Sequence, residues 1–420
     1  MMREGQRPFG QDAIGGRLAA EMTRLGPMGF ALLLTLAAAS LVWLTYGLGS
    51  SLWQQSPALV NAGGAVMGRD FVAVWSAAGL ALAHHPAAPY DYGLLGAAEQ
   101  QTIGAAVPFF VAWYYPPSFL LLVLPLAVLP YLVALALWLG TPLLAFLRIA
   151  HRLGRHPLAG AAVVLFPGTA QCLISGQNGI LSALLLTSGL ISLERRPVAA
   201  GVCFGLLGYK PQMAVAVLAA LLFGRYWRSL ACALSVMLVL ALASLAVFGI
   251  EPWFAFLKGL RGARVALETG QVPWERMATI FAAARLAGAG VDLAYWLQIS
   301  VTVGVLAVIF WAWRQRGPLA WRAALLATAI PLTTPYAYDY DLVVLLLPMG
   351  VLMAEAWSSG LRRGEIALIA VTWLSPVAGW LFAASWHLLL TPLLLLLLLA
   401  VLSRRLVTAS QSSIPLAAAS

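Results

Sequence analysis

Between Met28 and Leu402 the chain carries one long apolar segment after another, and the breaks between them are short and marked by arginines. The runs approach the roughly 20 residues that a helix needs to cross a hydrocarbon core. Few folds are open to such a chain, because backbone groups in lipid must be hydrogen-bonded within the segment, and helices meet that condition for runs of this kind. The expectation is an all-α polytopic membrane protein without a separate soluble domain. Composition agrees, with 62% hydrophobic and 10% charged residues, against about 25% charged residues in soluble domains. The net charge of +10 does not call for nucleic acid, since the arginines cluster between apolar runs as the positive-inside rule expects. Cys172, Cys203 and Cys232 all lie inside apolar runs and imply no disulfide framework.

Residues 1–27, with Arg3, Arg7, Arg17 and Arg24, read as a cytoplasmic segment ahead of an uncleaved signal anchor from Met28 to about Gly49. Residues 28–405 then form the transmembrane domain, and 406–420 a cytoplasmic tail. If the arginine clusters at 148/152/155, 195/196, 225/228, 314/316, 362/363 and 404/405 are cytoplasmic, each neighbouring pair is joined by an even number of crossings. The segments 158–174 with 178–194, 197–209 with 212–223, 229–249 with 293–313, 320–334 with 341–357, and 365–382 with 386–402 satisfy that rule. The anchor and one crossing between 113 and 148 bring the expected total to about 12 helices, with both termini cytoplasmic. Pro125, Pro130 and Pro142 predict that the stretch 116–148 is broken or tilted. The runs flanking Lys210-Pro211 are too short to cross, so their apex is expected beside a cavity.

This topology places nearly all remaining polar features on the outer side. The only two lysines, Lys210 and Lys258, fall there too, against the positive-inside trend, which calls for an anionic partner. Asp70 precedes an apolar stretch, Phe71 to Ala83, expected to lie in the membrane interface with Trp75 as aromatic anchor. It is either the N-cap of that helix or a functional carboxylate, which would have to be partly desolvated and within reach of a hydroxyl. Asp91 reads as a cap. The adjacent His84 and His85 point in different directions on a helix and lack a third ligand, so they read as a loop end.

Lys210 would hold an ammonium below the outer surface, where insertion scales charge about 2.5–3.5 kcal/mol for an unpaired cation. It serves either a phosphate or a structural ion pair. Gln177-Asn178 hydrogen-bond a sugar or satisfy a turn. The segment 251–292 reads as a loop that mixes Lys258, Arg261, Arg264, Arg276 and Arg285 with Trp253, Phe254, Phe256 and Trp274, a composition that suits either lipid phosphates or a solvated interface. Tyr338-Asp339-Tyr340-Asp341 contains an Asp-x-Asp spacing that can hold a divalent metal or cap the following span.

In order, the chain carries Asp70-Phe71 followed by Trp75 and Ala77-Ala78, Pro89-Tyr90-Asp91, Tyr115-Pro116-Pro117, Pro125-Leu126, Leu129-Pro130, Trp138 and Gly176-Gln177. The series continues with Gly201 and Gly205 running into Lys210-Pro211, then Trp227-Arg228, and Pro335 with Tyr340-Asp341. This series, from about Asp70 to Asp341, resembles glycosyltransferase family 87, the polyprenyl-phosphate-mannose-dependent mannosyltransferases of the GT-C membrane superfamily. The resemblance implies a GT-C-type fold with interfacial helices in its first outer loop, a catalytic acid at the position of Asp70, a polyprenyl-phosphate sugar donor, and a glycan or glycolipid acceptor. Where that pattern would place an Asn/Ser-containing turn, this chain has Val272-Pro273-Trp274-Glu275.

The chemistry fits on its own terms. A lipid monophosphate is a good leaving group that needs only positive charge, which Arg69, Lys210, Arg264 or Arg276 could supply. An acceptor hydroxyl needs a base, and Asp70 suits that role. One base and one displacement predict inversion at the anomeric carbon. The expected contacts to substrate are Trp75, Tyr115, Gln177, Asn178, Tyr338, Asp339, Tyr340 and Asp341, with no metal or other cofactor required and with membrane lipids as surroundings. The expected location is the cell (inner) membrane with the site facing outward. A transporter would instead show charges at the midplane in repeated halves, and a lipid-linked polymerase or ligase would use arginine-rich outer loops.

Overall fold

The computed structural model describes residues 32, 34–50, 59–60, 65–104, 110–154, 157–315, 317–359 and 364–412. Arg3, Arg7, Arg17, Arg24, Arg155, Arg316, Arg362 and Arg363 and the end of the tail lie outside the described residues. Regular structure among the described residues is helical, apart from isolated bridges joining Val60 to Val66 and Met277 to Tyr338.

The first helices are α1 (Leu34–Ser50), α2 (Phe71–Leu82), α3 (Tyr92–Ile103), α4 (Pro117–Val123), α5 (Tyr131–Gly154), α6 (Pro157–Leu165), α7 (Pro167–Ser175), α8 (Gly179–Ser192) and α9 (Pro197–Leu206). Then follow α10 (Pro211–Phe223), α11 (Trp227–Phe248), α12 (Glu251–Glu268), α13 (Ile280–Leu286), α14 (Val291–Arg314), α15 (Leu319–Ala329), α16 (Leu346–Ser359), α17 (Glu365–Trp386) and α18 (Thr391–Ser412). Each of the predicted apolar segments contains helix. Among the described residues five helices, α5, α11, α14, α17 and α18, are long and apolar enough to cross a membrane, and the others are shorter or less apolar.

Proline explains much of the shortening. The run 158–174 divides into α6 and α7 because Phe166, ahead of Pro167, takes an extended backbone (φ −63°, ψ 126°), as a residue preceding proline is pushed to do. The run 116–148 breaks as predicted, through a 3-10 turn at Leu124–Val128 and a restart at Tyr131 after Pro130. Pro142, by contrast, sits inside an uninterrupted α5. The predicted span 341–357 opens with a 3-10 segment, Asp339–Leu345, ahead of α16.

Two elements differ from expectation. The helix expected to lie in the membrane interface is enclosed by protein: Phe71, Val72, Ala73, Val74, Ser76, Ala77, Ala78 and Ala81 of α2 are buried. Its alanines leave room for α3 and the Leu124–Val128 turn to close over it. The segment 251–292, read as a loop, is mostly helical. On α12 the residues Pro252, Phe256, Ala266 and Leu267 are buried while Phe254, Leu257, Lys258, Arg261 and Arg264 are exposed, the two-faced pattern of an amphipathic helix.

Close backbone approach does the packing that the hydrophobic effect cannot supply between helices in lipid. Gly201 and Gly205, one turn apart on α9, face α11, where an added Cβ would come within 2.8 Å of the Ser229 and Ala233 carbonyl oxygens. At the other end of the chain, α17 and α18 are joined by Arg405, whose guanidinium donates to both Glu365 carboxylate oxygens at 2.8 and 2.5 Å. Arg405, taken above as a topology marker, is buried with its own counter-ion.

Candidate active site

The site begins with a turn. Gly176 ends α7 in the left-handed region (φ +76°), and a Cβ there would lie 3.0 Å from the Gly68 carbonyl oxygen and 2.8 Å from the Phe71 Cβ. Glycine at this position therefore lets the turn Gly68-Arg69-Asp70 lie directly on the end of α7, where the Asp70 N–H donates to the Ser175 carbonyl at 2.7 Å. Asp70 occupies the N-cap position of α2, yet its side chain makes no capping hydrogen bond. Its Oδ2 instead accepts from Gln177 Nε2 at 3.1 Å, and Arg69 Nε stands 3.6 Å from Oδ1. The Gln177 amide is oriented in turn, because its Oε1 accepts from the Asn178 N–H at 3.3 Å. Asp91 behaves as the sequence predicts, accepting from Gly93 and Leu94 N–H groups at 2.9 and 3.0 Å.

A buried polar chain extends from this point. Asn178 Nδ2 donates to the Tyr115 hydroxyl at 2.7 Å, and the Tyr90 hydroxyl donates to the Tyr115 carbonyl at 2.9 Å. Asn178 Oδ1 is buried and has no hydrogen-bond partner among the described residues. Trp75 lies under the turn: its Nε1 donates to the Leu129 carbonyl at 3.2 Å and its ring meets Tyr131 edge-on, whose hydroxyl donates to the Met67 carbonyl at 2.7 Å. Trp75 thus props the turn from inside the protein.

The segment Tyr338–Asp341 reaches the same place from the far end of the chain. Gly179 opens α8 against the Tyr340 carbonyl, closely enough that a Cβ would collide with it. Here the two aspartates are each matched to a cation. Lys210 Nζ donates to Asp341 Oδ1 at 2.5 Å, and the Tyr338 N–H donates to Asp341 Oδ2 at 3.1 Å. Arg276 donates to both Asp339 oxygens at 2.8 and 3.0 Å, and Gln171 Nε2 and the Tyr340 N–H add bonds at 3.2 and 2.8 Å. The structure therefore holds a counter-ion for Lys210 within the chain, the ion pair that was one of its two readings.

Burial pushes the Asp339 carboxyl above the usual carboxylate range, and Arg276 opposes that rise. With a bidentate guanidinium and a backbone N–H aimed at its oxygens, the ionised pair is the state that the geometry fits. No three His, Cys, Asp or Glu side chains gather among the described residues in a way that could hold a metal ion. The Asp-x-Asp carboxylates spend their oxygens on cations and N–H groups instead.

The Asp70 charge acts on Tyr115, Arg276, Tyr338, Asp339 and Tyr340. Arg264 does not join them. It pairs with Glu268 at 2.6 Å on the exposed face of α12 and lies over the Tyr295 ring. His84 and His85 follow the end of α2 as exposed residues, with His84 in the left-handed region.

Two residues that the sequence reading passed over belong to this neighbourhood. Gln171 carried a usable signal, since a strongly polar side chain inside an apolar run is a functional flag by default. Glu99 carried none. It is fully buried on α3, accepts from the Val111 N–H at 3.1 Å, and leaves its other oxygen without a partner among the described residues. Burial, reinforced by the nearby Asp70 charge, pushes its carboxyl from 4.5 to about 8 against the opposing pull of the Val111 hydrogen bond.

A largely buried carboxylate held by an oriented amide, with the Arg69 guanidinium 3.6 Å away, is suited to taking a proton from a bound hydroxyl beside a negatively charged leaving group. No curated protein and no solved structure matches this chain. The family model for glycosyltransferase family 87 matches residues 113–335, which include Tyr115, Gln177, Asn178, Lys210, Arg264 and Arg276 and leave Asp70, Asp339 and Asp341 outside. That match covers more than half of the 420 residues, and the chain belongs to glycosyltransferase family 87, a glycosyltransferase built into a membrane.

Proposed function

We propose that the protein transfers a sugar, mannose or another hexose, from a polyprenyl-phosphate donor to a hydroxyl of a glycan or glycolipid on the extracytoplasmic face of the inner membrane. In this reading the GT-C-type chain crosses about 12 times with both termini cytoplasmic. Asp70 is the general base: the acceptor O–H proton passes to its carboxylate as the acceptor oxygen bonds to the anomeric carbon, the carbon–oxygen bond to the phosphate breaks, and the polyprenyl phosphate leaves. The configuration inverts because one displacement occurs.

The observation that carries this reading is the state of the Asp70 side chain. A carboxylate at an N-cap position would ordinarily bond the helix N–H groups, and here it turns to Gln177 instead. Of the four candidate cations, Lys210 and Arg276 are engaged by buried carboxylates and Arg264 lies elsewhere. Arg69, with a side chain 53% exposed and 3.6 Å from Asp70, is the cation best placed to meet the donor phosphate. The orphaned Asn178 Oδ1 supports a sugar hydroxyl nearby, because an unpaired buried acceptor costs about 1–3 kcal/mol that a substrate donor would recover.

The test is transfer by the purified protein from a panel of radiolabelled polyprenyl-phosphate sugars to membrane glycolipids, with Asp70→Asn beside the wild type. Transfer lost in a folded, donor-binding variant supports the base. Equal transfer by both proteins would refute it.

A further inference from the structure

Aromatic rings form a continuous row from the protein surface to this site. Tyr92, at the start of α3, is 45% exposed, and the neighbouring Phe110 ring is 42% exposed, their centroids 5.3 Å apart. The Tyr92 hydroxyl lies 3.2 Å from that of Tyr114. The Tyr114 ring meets Tyr336 edge-on at 6.2 Å, Tyr336 meets Tyr338 edge-on at 5.7 Å, and Tyr338 stacks on Tyr340 at 5.3 Å. The row is assembled from three separated parts of the chain. Tyr114 in this row adjoins Tyr115, whose hydroxyl accepts from Asn178, and the Asn178 N–H in turn holds the Gln177 amide that bonds Asp70.

Its composition narrows what it can bind. Tyr92, Phe110, Tyr114 and Tyr336 contribute no charge, and burial pushes the Tyr336 hydroxyl up to about 12, so it stays neutral. A phosphate would choose the cations near Asp70, and a prenyl chain would use the ring faces but leave the line of phenol hydroxyls unpaired. Tyrosine combines an electron-rich face with a polar edge on a stiff side chain. The axial C–H groups of a pyranose are electron-poor and lie well against such a face, while its hydroxyls bond to the ring edges.

Resting on the glycosyltransferase reading above, we propose that Tyr92, Tyr114 and Tyr336 form the subsite for a neutral, pyranose-based acceptor glycan, which they lead inward to Asp70.

The experiment uses the full chain in lipid nanodiscs. Binding of linear hexopyranose trisaccharides is followed by saturation-transfer NMR, and acceptor KM is measured in parallel, for the wild type and for Tyr92→Leu, Tyr336→Leu and Tyr336→Phe, with thermal unfolding as the check on folding. Both leucine variants are expected to weaken trisaccharide binding and raise acceptor KM about tenfold or more, by more than kcat falls, while Tyr336→Phe, which keeps the ring, stays within about threefold of wild type. Trisaccharide binding by folded leucine variants equal to wild type would overturn the subsite, as would a wild type that binds no trisaccharide of the panel. A wild type that binds trisaccharides but uses no polyprenyl-phosphate sugar would sink the donor assignment and leave the subsite standing.

Discussion

Gln177 Nε2 donates to Asp70 Oδ2 at 3.1 Å, across 107 positions of sequence, and the contact exists because Gly68 and Gly176 let two backbones touch. The amide cannot turn away, since its oxygen is held by the Asn178 N–H. If Asp70 is the base, Gln177 is the residue that aims it. Asp70→Asn should lower kcat by about 10²–10⁴-fold, the usual worth of general base catalysis. Gln177→Leu should lower it by about 10²-fold, because a misplacement near 1 Å costs that much. Single-turnover transfer with saturating donor measures both, and a Gln177→Leu enzyme as fast as wild type would remove the aiming role.

Lys210 and Asp341 offer a direct choice between a structural and a substrate-binding cation. Their 2.5 Å contact is buried, and breaking such a pair from one side costs about 3–5 kcal/mol, whereas replacing both partners by apolar residues is often neutral. Lys210→Met and Asp341→Leu should each lower stability by that amount, and the double variant should recover most of it. Unfolding in detergent reads the energies. If the recovered double variant still fails to bind donor, Lys210 serves the phosphate as well.

Glu99 predicts a pH dependence. Its carboxyl is raised from 4.5 to about 8 in the folded protein by burial, so between those values the native state keeps a proton that the unfolded chain has released. Stability then falls as pH rises through this window, by at most about 1.4 kcal/mol per pH unit, and levels off above it. Glu99→Gln keeps an acceptor for the Val111 N–H and cannot ionise. The variant should match wild type near pH 4.5 and exceed it at pH 8.5; parallel stability curves for the two proteins would show that Glu99 does not titrate in this range.

Gly179→Ala places a methyl group against the Tyr340 carbonyl, which is backbone and cannot swing aside. Overpacking of this kind costs about 1–3 kcal/mol, and here it also displaces Asp339 and Asp341. The expected result is a folded but less stable protein whose transfer activity falls further than its stability. A variant of normal activity would mean that α8 and the Tyr338–Asp341 segment can separate without consequence.

Much of the architecture was legible in one dimension. Lipid leaves a chain little choice about backbone hydrogen bonds, so apolar length alone marked the helical segments, and Pro125 and Pro130 marked their breaks. The role of Asp91 as a cap was also readable, since a cap is satisfied within three residues of its own position. Asp70 has the same local setting, an aspartate ahead of an apolar helix, and does something else. What separates them is the arrival of Gln177 from 107 residues away, and no local pattern records that.

The same limit explains Lys210. Its need for an anion was evident from the cost of a buried ammonium, but the choice of Asp341, 131 residues on, was decided by how the 3-10 segment Asp339–Leu345 lies beside α8. Sequence by itself determined the solvent, most of the helices and many of the residues with chemistry to offer. The tertiary structure decided which carboxylates are neutralised by cations and which is turned toward an amide, because charge pairing depends on separations of a few ångströms that are set only when distant helices close on one another.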